Sequence, residues 1–111
     1  MYLRVIQGRL KPGTWDAFEH AYLEATRKAG AIEGLCGRWL TRDLDNADSG
    51  TTISLWASEE AMTAYEASDV LKKTIQPMLT PFFSGDYRTS RSIVRYAEGD
   101  PAPMEWVGGD S

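Results

Sequence analysis

The side chains able to do chemistry are few, and their types narrow the options. The chain holds one cysteine, Cys36, and one histidine, His20. A lone cysteine excludes an intrachain disulfide and a multi-cysteine zinc site, and a lone histidine excludes a histidine-pair metal centre. No GxGxxG, P-loop or GxSxG pattern occurs, so neither a nucleotide cradle nor a nucleophile elbow is expected. No metal and no cofactor are expected from such a set. What remains is flat apolar surface, an amide set in an apolar strand, one imidazole and several guanidinium groups. Trp15, Tyr22, Trp39, Trp56 and Tyr65 can wall a pocket, each ring carrying a polar tip. Gln7 is a lone amide in the apolar run Leu3 to Leu10, where it must find a partner or line a cavity. His20 is the available proton acceptor. Arg88, Arg91 and Arg95 cluster in one segment, and Arg38 stands apart from them. Arginines so placed read either as a clamp for an anion such as a phenolate or as members of cross-strand and dimer ion pairs.

These groups need a scaffold, and the patterning predicts one. Tyr2 to Leu10 reads as a strand, with Leu3, Val5 and Gln7 on one face and Tyr2, Ile6 and Leu10 on the other. Lys11-Pro12-Gly13 is a turn, Thr14 an N-cap, and Trp15, Phe18, Tyr22 and Ala25 recur at helical spacing. A helix over 14–29, closed by Gly30, follows. Residues 34–43 and 51–56 read as strands joined by a polar loop, a hairpin with a long tip. Cys36 on the first of them is expected to be a small core residue. Trp56 ends the second, where an indole either fixes the strand–helix corner or walls a pocket.

Ser58 caps the next helix, with Ala61, Met62 and Tyr65 facing inward, and Ser68 reads as a second cap. Leu71, Ile75, Met78 and Leu79 then form an apolar stripe. Pro77 inside it should kink or end the helix. Residues 87–96 read as the fourth strand, with Arg91 and Arg95 on one face and Arg88 on the other. The order β-α-β-β-α-β predicts an α+β, ferredoxin-like split βαβ fold: a four-stranded antiparallel sheet with two helices on one face. The strands carry apolar groups on the other face too. A second copy of the sheet is the simplest cover, so a homodimer is expected.

A chain of 111 residues supports one such domain, expected over residues 1–97. The net charge is -4, from 16 acidic and 12 basic residues. Glu98, Asp100, Glu105 and Asp110 lie beyond that domain with no base among them, so the first 97 residues are balanced. A balanced body has no positive surplus with which to displace counterions, which argues against nucleic-acid binding. Residues 98–111 form an acidic Pro/Gly-rich tail whose Met104, Trp106 and Val107 either dock on the dimer, close a pocket or fray. No secretory pattern opens the chain and no apolar run reaches membrane-spanning length, so no membrane partner is expected and the cytoplasm is the expected compartment.

Several stretches resemble a known family. Lys11-Pro12-Gly13 precedes the first helix, Ile32-Glu33-Gly34 opens the second strand, and Leu55-Trp56-Ala57-Ser58-Glu59-Glu60-Ala61 is followed by Ser68-Asp69. Across residues 1–97 the chain resembles the antibiotic biosynthesis monooxygenases, and the Trp-x-Ser-Glu-Glu-Ala junction is the most specific element of the likeness. The resemblance implies a dimeric α+β barrel. It also implies a pocket between sheet and helices lined by Trp56, and a role for Gln7 where haem-degrading relatives carry an asparagine. The family includes cofactor-free oxygenases of polyketide phenols, quinol oxidases and haem-degrading enzymes. A cofactor-free oxygenase needs a dry aromatic pocket, a proton acceptor and a donor or positive charge for the substrate anion. On this reading Trp56, Gln7 and His20 are the catalytic candidates, and Trp56, Gln7, Tyr22, Trp39, Tyr65 and Arg91 bind a hydroxylated aromatic or quinol-like compound. Two departures bear on activity. Polyketide-type relatives carry an asparagine shortly before the strand-end tryptophan, where this chain has Thr51-Thr52-Ile53-Ser54. Haem-degrading relatives ligate haem through a histidine that falls near Ile75, and residues 57–111 contain none, so haem degradation by that route is not expected. The alternative to an oxygenase is a non-catalytic dimeric barrel that keeps the pocket for a small ligand.

Overall fold

A computed structural model describes residues 1–99 of the chain. The expectations for Met104, Trp106 and Val107 in the acidic tail lie outside the described residues. The elements follow in the order β1 (Tyr2–Arg9), α1 (Trp15–Ala29), β2 (Leu35–Arg42), β3 (Ser49–Trp56), α2 (Glu59–Glu66), α3 (Gln76–Leu79) and β4 (Arg88–Ile93). A wide π-helical turn, Val70–Ile75, leads into α3, and a 3-10 turn, Thr80–Phe82, leaves it. The sheet runs β2-β3-β1-β4 and every neighbouring pair is antiparallel. This is the expected α+β ferredoxin-like sheet.

Local chemistry accounts for the boundaries. Ser58 accepts a hydrogen bond from the Ala61 amide at 3.1 Å and so caps α2. The Ser68 hydroxyl accepts one from the Leu71 amide at 3.2 Å and starts the next turn. Gly30 closes α1 at φ 67°. The long tip of the β2–β3 hairpin is tied to the turn before α1, where Asp48 Oδ1 accepts from the Gly13 amide at 3.0 Å.

The third strand begins at Ser49, two residues before the expected 51, and two larger differences concern the second helical segment and the last strand. Pro77 does not end the helical path. The preceding turn widens, so that the Gln76 amide donates to the Leu71 carbonyl five residues back. Pro77 then falls within the first turn of α3, where a missing N–H costs nothing. The fourth strand is also shorter than 87–96. It stops at Ile93, the residue opposite Tyr2, with one further bond from the Val94 amide to the Met1 carbonyl at 2.9 Å.

Register decides which side chains meet the helices. Tyr2, Arg4, Ile6 and Gly8 of β1 share a face with Trp56, Ser54, Thr52 and Gly50 of β3. Arg38 and Leu40 of β2 extend that face. Above it α1 packs on the segment carrying Leu71, Ile75 and Leu79, and these helix residues form the main core with Leu10. No helix of the described residues is long and apolar enough to cross a membrane.

The approach of β2 to α2 depends on Gly34. Its φ is +82°, and a Cβ there would stand 2.3 Å from the Ala61 Cβ. Gly34→Ala is therefore expected to cost about 2 kcal/mol or more, from the left-handed backbone and the overpacking together. A thermal melt should show a fall of roughly 10 °C; an unchanged midpoint would contradict this account of the junction.

Candidate functional site

Between the sheet and the helices lies a cavity of about 220 Å³. Its floor mixes small and hydroxyl residues, Gly8 of β1 and Gly50, Thr52 and Ser54 of β3, with the longer Arg4 and Ile6 of β1 and Arg38 and Leu40 of β2. Its roof is the aromatic and aliphatic side of α1 and of the turns around α3, including Trp15, Phe18, Tyr22, Leu71, Ile75 and Leu79. The two glycines are points of close approach, since a Cβ on Gly50 would stand 2.7 Å from the Trp15 ring and one on Gly8 2.9 Å from the Phe83 ring, while Thr52 and Ser54 are too short to fill the space between sheet and helices.

Trp56 anchors one end. It is 1% exposed, and its ring lies 4.9 Å from that of Tyr65 at an interplanar angle of 35°. Its indole N–H donates to Ser54 Oγ at 2.9 Å, and Ser54 Oγ in turn lies 3.4 Å from the Arg4 carbonyl. The indole dipole is thus committed to the sheet, and Trp56 meets a ligand with its ring face only. Arg4 lies over the Tyr65 ring at 5.7 Å, and its Nε meets Glu66 Oε2 at 2.9 Å. The other oxygen of Glu66 meets Arg91 Nε at 3.1 Å, and Arg91 Nη2 donates to Thr63 Oγ1 at 2.9 Å.

Two of the cavity tyrosines, Tyr22 and Tyr65, have phenols raised above the ordinary value. Burial pushes the Tyr22 phenol up to about 12, with the nearby Arg38 cation working against that rise and Tyr65 adding to it. Burial also raises Tyr65, opposed by Arg38 and Arg4. Among the described residues neither phenol has a hydrogen-bond partner, so both are donors available to a ligand oxygen.

Of the residues singled out by sequence, Trp15, Tyr22, Arg38, Trp56 and Tyr65 come together on the cavity wall. The others do not. Gln7 is exposed on the helix-free face, paired with Thr51 and Arg88, because odd-numbered positions of β1 point away from the helices. Trp39 lies opposite Ile53 on that same face and is partly buried there. His20 is exposed on α1, off the helix stripe that faces inward. Arg91 is on the helix side, but its guanidinium is occupied by Glu66 and Thr63 beyond the cavity edge. Arg88 is exposed on the opposite face, and Arg95 lies past the end of β4. Cys36 is exposed rather than core, because a β-bulge between Leu35 and Gly37 turns it outward. Sequence reasoning missed Arg4, Thr52 and Ser54 as site residues. Counting back by twos from Trp56 would have found the last two.

A family model described as antibiotic biosynthesis monooxygenase matches residues 1–77, which span β1 to the first two residues of α3 and hold most of the cavity wall. The chain belongs to this family. Solved structures share the family fold at low identity. SnoaB of Streptomyces nogalater, a cofactor-independent oxygenase solved as a mutant, is 14% identical with a TM-score of 0.73, covering 89% of this chain and 97% of its own. A conserved protein of Methanosarcina mazei is 18% identical with a TM-score of 0.69, covering 82% and 90%. The NE2512 protein of Nitrosomonas europaea is 13% identical with a TM-score of 0.72, covering 89% and 93%. No curated protein matches the sequence. Likeness at such identities speaks for the fold, and chemistry must be argued from the site.

The buried phenol makes a measurable prediction. Unfolded Tyr22 releases its proton at the ordinary 10.0, whereas the folded protein holds it to about 12. Between those values the unfolded state binds fewer protons, so stability falls as pH rises, by up to about 1.4 kcal/mol per pH unit. Denaturant unfolding is expected to show this extra slope in the wild type and to lose it in Tyr22→Phe. Equal slopes would remove Tyr22 as the cause.

Proposed function

We propose that the chain is a small cofactor-independent monooxygenase that takes a flat, hydroxylated aromatic or quinol-like compound into the cavity between sheet and helices. The supporting observation is the composition of that wall. A buried Trp56 stacked on Tyr65 shares it with two arginines and with no carboxylate among the described lining residues. In such a reaction the substrate is the reductant. The electron-rich ring gives electrons to O2, one oxygen atom enters the substrate, and the other leaves as water. The protein binds the ring, excludes water and stabilises negative charge as it develops. Family membership and the fold shared with SnoaB agree with this reading.

A second reading is a non-catalytic dimeric barrel that binds a small ligand. The observation favouring it is that no imidazole or carboxylate lines the cavity among the described residues. Neither raised tyrosine is suited to accept a proton near neutral pH.

Both readings take the protein as a homodimer. In support, Leu3, Val5, Trp39, Ile53 and Leu55 adjoin one another by register across β1, β3 and β2 on the face that no helix covers. A second copy of the same face would bury them.

Two experiments test these proposals. Dithranol, a hydroxylated anthrone, is the first substrate to try. Oxygen uptake above the uncatalysed rate is expected, with a product gaining one oxygen and losing two hydrogens. Trp56→Leu should lower uptake about tenfold by loosening the ring's placement. Binding without uptake supports the ligand-binding barrel, and absence of binding overturns both readings. Light scattering at low micromolar concentration should give twice the chain mass, and Ile53→Arg, which places a charge mid-face, should give a monomer. A monomeric wild type sinks the homodimer.

A further inference from the structure

Four residues lie in one cross-strand row on the helix side of the sheet. Arg38 of β2 stands opposite Ser54 of β3, Ser54 opposite Arg4 of β1, and Arg4 opposite Arg91 of β4. Three of the four are arginines, and like charges on adjacent strands repel. One carboxylate, Glu66, answers two of them, meeting Arg4 at 2.9 Å and Arg91 at 3.1 Å. Arg38 has no such partner. Among the described residues its side chain makes neither an ion pair nor a hydrogen bond, although it is partly buried and lines the cavity.

The cavity wall offers Arg38 no carboxylate among the described residues. The charged and titratable groups on the cavity wall are Arg4 from β1, Tyr22 from α1, Arg38 itself, Tyr65 from α2, and Tyr87 just before β4. No Asp, Glu, Lys or His joins them among the described lining residues. Glu66 sits behind Arg4 and is fully engaged there. Arg38, Tyr22 and Tyr65 line the same cavity, and the Arg38 charge is felt at both phenols. A half-buried guanidinium without a counter-charge costs stability unless something compensates it. An oxyanion in the cavity would do so, taking a charge-assisted bond from the guanidinium and neutral ones from the phenols.

We propose that Arg38 is the counter-ion of the cavity's ligand, selecting aromatic compounds with an ionised oxygen, a phenolate, over their neutral counterparts. The inference rests on the reading of the cavity as a ligand site. It also meets the lack of a proton acceptor there. A phenol bound as its anion has already lost its proton to bulk water, and the electron-rich form that reacts with oxygen is the form the site holds.

The probes are 4-nitrophenol, which ionises near neutral pH with a change of colour, and 4-nitroanisole, its methylated and permanently neutral analogue. Titrations of the folded wild-type protein are run below and above the ionisation of free 4-nitrophenol. The phenolate is expected to bind more tightly than the anisole by about tenfold or more, the range of hydrogen bonds to charged groups. The absorbance titration of bound 4-nitrophenol should shift to lower pH, while anisole binding stays constant. In Arg38→Met, whose side chain keeps the apolar stem, the preference should fall to within about twofold while the anisole still binds. Arg38→Lys should retain part of it. Circular dichroism confirms that each variant is folded. If both probes bind the wild type equally, or if Arg38→Met keeps the phenolate preference, the role of Arg38 is overturned and the cavity reading stands. If the wild type binds neither probe, the cavity reading fails and this inference fails with it.

Discussion

The structure turns on how short the side chains are along the middle of its sheet. Gly8, Gly50, Thr52 and Ser54 face the helices at the points where a packed α+β domain would place leucine or isoleucine. Trp15 of α1 closes down on Gly50, Phe83 closes down on Gly8, and Leu40 of β2 packs against the helix core; elsewhere the helices pack on each other, through Phe18, Tyr22, Ala25, Leu71, Ile75 and Leu79. Leu10 supports one end, where the Lys11 amide donates to the Phe82 carbonyl at 2.9 Å and Ser84 to the Arg9 carbonyl at 2.8 Å. Trp56 supports the other. An empty apolar space forfeits dispersion contacts and costs stability. A sequence that keeps one in this position gives up stability for room.

The same floor orders the electrostatics. Ser54 is small enough to let arginines flank it on both neighbouring strands, and its hydroxyl holds the Trp56 indole. Glu66 at the end of α2 binds Arg4 and Arg91 together and so joins helix, inner strand and edge strand. Arg4 is thereby held over Tyr65, and Tyr65 against Trp56. Packing, hydrogen bonding and charge converge on one corner, which makes it rigid. Arg38, two strands away from that carboxylate, is left out of the network.

Much of this was readable in one dimension. The strand and helix order, the caps at Ser58 and Ser68, the stop at Gly30 and the long hairpin tip all rest on local preferences, and they appear where those preferences put them. The aromatic members of the site followed from helical spacing and from the strand–helix junction. The failures share a cause. Pro77 was tolerated because the turn before it widened, an adjustment that depends on α1 holding Leu71 and Ile75 in place. Cys36 was turned out by a bulge that no spacing rule announces. Gln7 and Trp39 were assigned to the cavity although they occupy the strand parity that points away from it.

Sequence by itself determined the elements, their order and the two alternating sets of side chains on each strand, because these depend on backbone preferences and on a period of two. It also determined that one histidine and one cysteine form neither an intrachain disulfide, nor a multi-cysteine zinc site, nor a histidine-pair metal centre. Only the tertiary structure decided which set faces the helices. Apolar residues occur in both sets of β1, so hydrophobicity could not choose, and the choice came from register with Trp56 on β3. Only the tertiary structure, too, brought Glu66 to Arg4 and Arg91 and left Arg38 without a partner. Those residues are far apart in the chain, and a charge is answered by what lies next to it in space.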